Sequence, residues 1–571
     1  MARQRWNKKG RTGLVAGVAA AALLAVPGSA SAAVSSSVAG GVLTVNSDAN
    51  DAITITSAGG QVKVNGADPG SGAAASAGIT AIDVSGGPGA NDINLAGVNG
   101  TDFTALSAVT VDGGDGNDTI NGSQLADELS GGNGDDRIIG DDNPAGSQDE
   151  SLGEAGNDTM VWNPGDDDDV NEGGAGSDTV EVNGGGGPED FTVKPSTTAG
   201  RVAFDRTGPN PPGPFNVDIG TSERLDLNAG GGNDTLVADS GLQALGFALD
   251  IDGGDGNDTL DGGDGADLIS GGNGDDRITG DDNPAGTRDQ SRGDAGNDTM
   301  VWNPGDDDDV NEGGDGSDTV EVNGGGGPEV FEVKPSAIPG RVAFDRTGPD
   351  PPGPFNIDIG TSERLDLNAA GGDDSLNAAG VVEGLAGWTI DADGGDGNDT
   401  LAGGSQAVDL LSGGPGADTL RSRDQTADSV TCGTEVDSVA ADSQDIVNGD
   451  CEIVDRGQAA DRLAPAVRVS KKAVVVNRKR IAAIRVTGPA GEDSTVTVKL
   501  RRKGRLLGRK SIELDAGESK LVKVKLSRKA FALLKKRDKL RVNAIVTAED
   551  AAGNARKRTV ALTLKEPKPK R

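Results

Sequence analysis

The sequence predicts an all-β chain: a repetitive parallel solenoid followed by a C-terminal antiparallel sandwich. Three observations predict it. A nine-residue unit, G-G-x-G-x-D-x-U-x with U a large aliphatic, starts at Gly253, Gly262 and Gly271 in "GGDGNDTLDGGDGADLISGGNGDDRITG". A larger module is duplicated at an offset of 140 residues, so that "GGNGDDRIIGDDNPAGSQDE" at Gly131 returns as "GGNGDDRITGDDNPAGTRDQ" at Gly271. The last hundred or so residues hold about seven short runs in which apolar residues alternate with basic or polar ones.

Composition narrows the class. The 571 residues are 34% hydrophobic and 2% aromatic, with 92 Gly and neither His nor Tyr. Large cores use aromatics for bulk and helices avoid Gly, so an ordinary α/β enzyme fits poorly and thin, local cores fit well. The formal charge of −38 hides an asymmetry: Pro465 to Arg571 carries about +22, the first 32 residues about +5, and Ala33 to Ala464 about −65. The middle repels itself strongly unless counterions neutralise it.

In order along the chain, Arg3, Arg5, Lys8, Lys9 and Arg11, an apolar run "GLVAGVAAAALLAV" and the small residues Ala30, Ser31 and Ala32 read as a signal peptide over 1–32. The mature chain is therefore expected to be secreted, free or attached to the cell surface, with no transmembrane segment. Residues 33–112 offer β-branched strands such as "GVLTVN" and "AITITSAGGQVKVNG" that suit a cap or first coils. Residues 113–431 hold the repeats, interrupted by inserts such as "DFTVKPSTTAGRVAFDRTGPNPPGPFNVDIG", where Phe191 and Val193, then Val202 and Phe204, predict a hairpin before a Pro-rich loop. Residues 432–464 carry the two cysteines, Cys432 and Cys451, read as a disulfide. Residues 465–571 form the basic sandwich, with one short helical stretch, "RKAFALLKK".

Each place in the nine-residue unit has a physical reason. Gly at the first, second and fourth places permits the tight turn that aims carbonyl oxygens at one point. Asp at the sixth adds a hard anionic oxygen of the kind Ca²⁺ prefers. The aliphatic at the eighth sits in the following short strand and points inward.

"GGDGNDTLD", "GGDGADLIS" and "GGNGDDRIT" resemble the nonapeptide of RTX, or haemolysin-type, calcium-binding repeats. The resemblance implies a parallel β-roll, two nonapeptides per coil, with Ca²⁺ held between stacked turns by sixth-place carboxylates and carbonyls. It carries to Asp118, Asp136, Asp258, Asp267, Asp276, Asp399 and Asp418 on full motifs, and to Asp158, Asp178, Asp298 and Asp318 in units spaced by ten. It extends to Asp127 and Asp409 in turns lacking the middle Gly, and to the degenerate units at Asp168, Asp308, Asp234 and Asp374. Because the inserts interrupt the blocks, one continuous roll and a broader β-helix with roll-like segments both remain open. The ending "TAEDAAGNARKRTVALTL" resembles bacterial immunoglobulin-like domains.

Other chemistry fits less well. "DDDDVNEGGAGSD" places Glu172 where an EF-hand needs Gly and Asp178 where it needs Glu. Without His there is no Ser-His-Asp triad, no Cys-His pair and no imidazole zinc ligand. Trp162 and Trp302 occupy one position in two modules, which reads as packing, and Trp388 alone makes no sugar platform. The expected function is that of a secreted, non-enzymatic scaffold folded by multiple calcium ions. The alternatives are a polysaccharide-active enzyme that uses the repeats for folding, and an envelope protein whose basic domain meets anionic polymers rather than nucleic acid.

Overall fold

Period-two patterning decides the local structure: in Thr119–Asn121, "TIN", Ile120 is buried while Thr119 points to solvent, and the same alternation recurs strand after strand. The computed structural model describes residues 33–566 apart from 145–146, 209–213, 285, 349–353, 379–387, 406, 457–466, 471–472, 489–492 and 550–554. The signal segment expected at 1–32 and the Pro-rich loop expected at 209–213 lie outside the described residues. The chain divides into two units, Met1–Asn323 with Ser336–Asp366, and Gly324–Pro335 with Leu367–Arg571.

The first unit opens on two antiparallel hairpins, Ser35–Ala39 with Val42–Asn46 and Ala52–Ala58 with Gln61–Val64. The chain then alternates between two parallel sheets. One runs through Val42–Asn46, Ala81–Ser85, Val109–Asp115, Asp127–Asn133, Asp149–Ala155 and Asp169–Ala175. The other runs through Ala52–Ala58, Asp92–Gly97, Thr119–Asn121, Arg137–Ile139, Thr159–Trp162 and Thr179–Asn183. In-register pairing stacks Ile120, Ile138, Met160 and Val180 in one buried column. Val109, Val111 and Leu129 of the opposite sheet share a core with Ile93, Ile120 and Ile138. Each coil thus buries a few aliphatics, which is how so little apolar material suffices.

The insert forms an antiparallel hairpin in the first sheet, Asp190–Pro195 with Val202–Arg206, pairing Val193 with Phe204. Val202–Arg206 also pairs antiparallel with Phe215–Ile219, which returns to parallel pairing against Asp169–Ala175. With two connections that stay in one sheet, the module makes an odd number of crossings and its duplicate begins in the opposite sheet. Asp127–Asn133, Asp149–Ala155 and Asp169–Ala175 lie in the first sheet, whereas their second-module counterparts Leu268–Asn273, Asp289–Gly296 and Asp309–Gly316 lie in the second. The Gly-rich turns of the two modules therefore line opposite edges.

In the second unit, Val330–Pro335, Ser375–Asn377, Thr400–Ala402, Thr419–Arg421, Ser438–Ala440 and Ile453–Asp455 pair in parallel. Thr389–Asp393, Leu410–Pro415, Ser429–Thr434 and Ile446–Val447 form a matching parallel set. Cys432 and Cys451 are disulfide-bonded. Beyond them stand a three-stranded sheet (Arg468–Val469, Ile481–Thr487, Ser519–Lys525) and a five-stranded sheet (Ala473–Val475, Ala555–Lys565, Lys539–Glu549, Ser494–Arg502, Arg505–Leu514). Both contribute to one core that includes Ile484, Val522, Val498 and Val546. The helix Arg528–Arg537 starts where the Ser527 side chain accepts the Ala530 amide, and buries Ala530 and Leu534.

Candidate metal centres

The turn Gly131 to Asp136 shows how the nonapeptide works locally. Gly134 has φ +136°, and a Cβ there would lie 1.8 Å from the carbonyl oxygen of Gly116 in the preceding coil. Gly131 leaves room for its own Asp136, whose Oδ2 would be 2.4 Å from an added Cβ. Turn therefore rests directly on turn, and the sixth-place carboxylate folds back beneath it.

The aspartates are linked from coil to coil. The Asp118 amide donates to Oδ1 of Asp136 at 2.7 Å, the Asp136 amide to Asp158 at 2.8 Å, and the Asp158 amide to Asp178 at 2.8 Å. Asn91 stands at one end, donating to Asp118, and Glu223 at the other, accepting from Asp178. In the second module the row is Glu189, Asp234, Asp258, Asp276, Asp298, Asp318 and Glu363. The second unit repeats it with Glu329, Asp374, Asp399, Asp418, Asp437 and Glu452. Shorter rows occupy the opposite edges: Asp127, Asp149 and Asp169; Asp267, Asp289 and Asp309; Asp409, Asp428 and Asp445.

Fifteen of the expected residues stand on these rows. Asp168 and Asp308 do not: the buried row positions are the next residues, Asp169 and Asp309, while Oδ1 of Asp168 and of Asp308 accepts the amide of Asn216 and of Asn356. In "NPGDDDDVN" four adjacent acids leave the register undetermined by motif alone. Asp149, Asp289, Asp428, Asp437 and Asp445 join the rows without a nonapeptide. Their signal was a different spacing, since successive aspartates on one edge are separated by a full coil of 17 to 25 residues, and Asp149 follows Asp127 by 22.

The chemistry of the rows lies in the second carboxylate oxygen. Oδ2 of Asp118, Asp136, Asp158, Asp178, Asp258, Asp276, Asp298, Asp318, Asp399 and Asp418 is buried with no hydrogen-bond partner. A buried charge without compensation is strongly unfavourable. Burial raises Asp136, Asp158 and Asp298 to about 6 and Asp234, Asp276 and Asp399 to about 7, against the stabilising pull of the amide each accepts. On the opposite edges burial lifts Asp127 and Asp267 to about 7, Asp149 and Asp289 to about 9 and Asp169 and Asp309 to about 8.

These residues fit calcium. The donors are hard oxygens, the orphaned Oδ2 atoms lack any other partner, and the glycines clear a space that a Cβ would fill. The sixth-place aspartates and the carbonyls of their turns would hold the ions, and bound calcium supplies positive charge that cancels carboxylates and cross-links neighbouring coils.

Elsewhere, the outer face of the five-stranded sheet is basic at one end. Lys499 stands opposite Arg509 and Lys539 opposite Lys565, and Arg501, Arg502, Lys503 and Arg541 line a shallow depression there. Among the described residues, no helix is long and apolar enough to cross a membrane.

No curated protein matches the chain. Among solved structures it is similar to a crystal structure of an engineered protein at 1.98 Å, with 17% identity, a TM-score of 0.13, and coverage of 21% of this chain and 22% of that one. A family model described as the RTX calcium-binding nonapeptide repeat (4 copies) matches residues 110–143, 226–241, 252–283 and 393–424. Stacked Gly turns, rows of buried aspartates and this match agree: the chain carries a region of RTX-type calcium-binding nonapeptide repeats over about residues 110–424.

Proposed function

We propose that this is a secreted scaffold with a structural or adhesive role, whose acidic repeats fold around calcium at the seventeen aspartates expected from the sequence, with Asp169 and Asp309 in place of Asp168 and Asp308. The observation that carries the reading is the row of buried, unpartnered Oδ2 atoms. Calcium makes a Gly-rich, self-repelling segment cohesive, and affinities of roughly 10⁻⁴ to 10⁻³ M suit an extracellular module. The repeat is a non-catalytic module, and no step of this role needs an enzyme. The test is circular dichroism of Ala33 to Arg571 during a Ca²⁺ titration with Mg²⁺ as control. A cooperative, calcium-selective gain of β-structure supports the reading; full structure in chelator with no response overturns it.

The like-charge pairs Lys499 with Arg509 and Lys539 with Lys565 favour a further role for the C-terminal domain, read here as immunoglobulin-like. Like charges directly opposite on a sheet destabilise it, and none of these four forms an ion pair with a carboxylate among the described residues. An anionic envelope polymer would relieve that repulsion. Attachment to cell-wall material that is released by salt and lost on deleting 465–571 supports this role, and salt-insensitive attachment overturns it.

A further inference from the structure

Opposite the long row of each module lies a shorter one, where beside Asp127 and Asp267 the fold buries carboxylates that the nonapeptide does not account for. In the first module Asp149 and Asp169 are 1% and 4% exposed, and the Asp149 amide reaches Oδ1 of Asp169 at 3.3 Å. Asn143 is 5% exposed and its side-chain amide lies beside the Asp149 carboxyl and pulls it down, yet neither of its polar atoms reaches hydrogen-bond geometry. Oδ2 of Asp149 has none either.

The second module shows where this asparagine is aimed. Asn283 is 3% exposed, and its Nδ2 lies 3.0 Å from Oδ2 of Asp289 and 3.3 Å from Oδ1 of Asp309, while its Oδ1 is buried without a partner. Among the described residues none of the four aspartates is paired with Lys or Arg; the nearby Arg288 pairs with Asp308 instead. Two carboxylates and an amide therefore converge in a buried place with no cation to balance them. The N and O of an amide are exchanged by a half-turn of the side chain, which would bring the orphaned Oδ1 to the carboxylates.

We propose that Asn143, Asp149 and Asp169, and again Asn283, Asp289 and Asp309, form a second kind of calcium site, built around Asp149 and Asp289 outside the nonapeptide turns; its use of Asp169 and Asp309 as ligands rests on the reading above. Its donors are hard oxygens, two of them anionic, which selects calcium over softer divalent ions. The pattern is D-D-N-P followed by an aspartate six residues after the Asn and another twenty beyond it, and it recurs in both modules.

Each site has a built-in reporter. The Nε1 of Trp162 donates to the carbonyl of Asp167 at 3.0 Å, and that of Trp302 to Asp307 at 3.2 Å, one and two residues from Asp168 and Asp169, and from Asp308 and Asp309, on the edge of the short rows. The experiment uses Tb³⁺ as a calcium stand-in on the full mature chain, exciting tryptophan, together with equilibrium dialysis of Ca²⁺. The combined variant Asp149→Asn with Asp289→Asn should lose at least half the sensitised emission and about two bound ions per chain. Trp162→Phe with Trp302→Phe should lose the emission from these two sites, with only that from Trp388 left, while keeping the ion count. If the aspartate variant fails to regain β-structure in calcium, Asn143→Leu with Asn283→Leu, similar in volume but without a ligand oxygen, carries the test. Unchanged emission and ion count in a folded variant overturn the proposal. An ion count left unchanged by Asp136→Asn with Asp276→Asn would instead count against the nonapeptide reading alone, so the two failures are distinguishable.

Discussion

Asp136 accepts the Asp118 amide on Oδ1 at 2.7 Å while its Oδ2 lies buried with no partner. One oxygen fixes the coil and the other is left for a cation, so the two contribute to stability under opposite conditions. Asp136→Asn keeps an acceptor for the amide and removes the buried charge. In calcium at about one hundred times its dissociation constant, loss of one ion's linkage costs about 2.7 kcal/mol. In chelator near pH 8 the same variant should be more stable than the parent, because a neutral amide is easier to bury than a carboxylate. Thermal unfolding in both buffers checks this; destabilisation of equal size in each would show that Oδ2 holds no ion.

The pH dependence follows from the same burial. The folded chain holds Asp136, Asp158 and Asp298 at about 6 and Asp234 and Asp276 at about 7, above the ordinary 3.8. A raised folded pKa means that the folded state binds more protons than the unfolded one between these limits. The resulting stability is fully present below about pH 4 and is lost as pH rises through 6 to 7. Calcium-free protein should therefore melt at higher temperature at pH 5 than at pH 8. With calcium the order should reverse, since protons compete for the same oxygens. A calcium-free melting point that rises with pH would contradict the burial of these carboxylates.

Two glycines separate backbone strain from coil contact. Gly165 has φ +120° with nothing within 4 Å of an added Cβ, whereas Gly134 has φ +136° and meets the Gly116 carbonyl at 1.8 Å. Gly165→Ala should cost about 1 to 2 kcal/mol for its conformation alone. Gly134→Ala must also push two coils apart, and should cost upwards of about 4 kcal/mol or abolish the calcium-induced fold. Urea unfolding in saturating calcium measures the difference, and equal losses would mean that the turns do not stack closely.

The repeat chemistry was legible because each nonapeptide fixes turn, carboxylate and inward aliphatic within nine residues, as Gly131 to Ile139 do. The rows themselves were less so. Asp149 pairs with Asp127 across a coil lengthened by "DDNPAG", and Asp169 rather than Asp168 reaches the row, because register there is set by neighbouring coils. Nor does local pattern reveal that the duplicate begins in the opposite sheet; that depends on counting crossings through the insert. The helix over 528–537 was visible from the "RKAFALLKK" spacing, whereas the pairing of Lys499 with Arg509 needed the hairpin register.

Glu189 and Arg206 provide a contrast with calcium inside the same row. Glu189 takes a row position, donating its amide to Asp234, and is 3% exposed. Its Oε1 receives Nε of Arg206 at 2.5 Å, from a guanidinium 2% exposed, and its Oε2 receives the Gly185 amide. Here the hairpin insert delivers a fixed positive charge where neighbouring rungs present an unpaired oxygen. This rung should accordingly be indifferent to calcium. Arg206→Met leaves a buried carboxylate uncompensated and should destabilise the fold by about 3 to 5 kcal/mol in calcium and in chelator alike. Adding Glu189→Gln should recover much of that loss, because the charge left behind is then gone. A loss that calcium abolishes would mean that the ion can replace the guanidinium, and that this rung is an ordinary metal position after all.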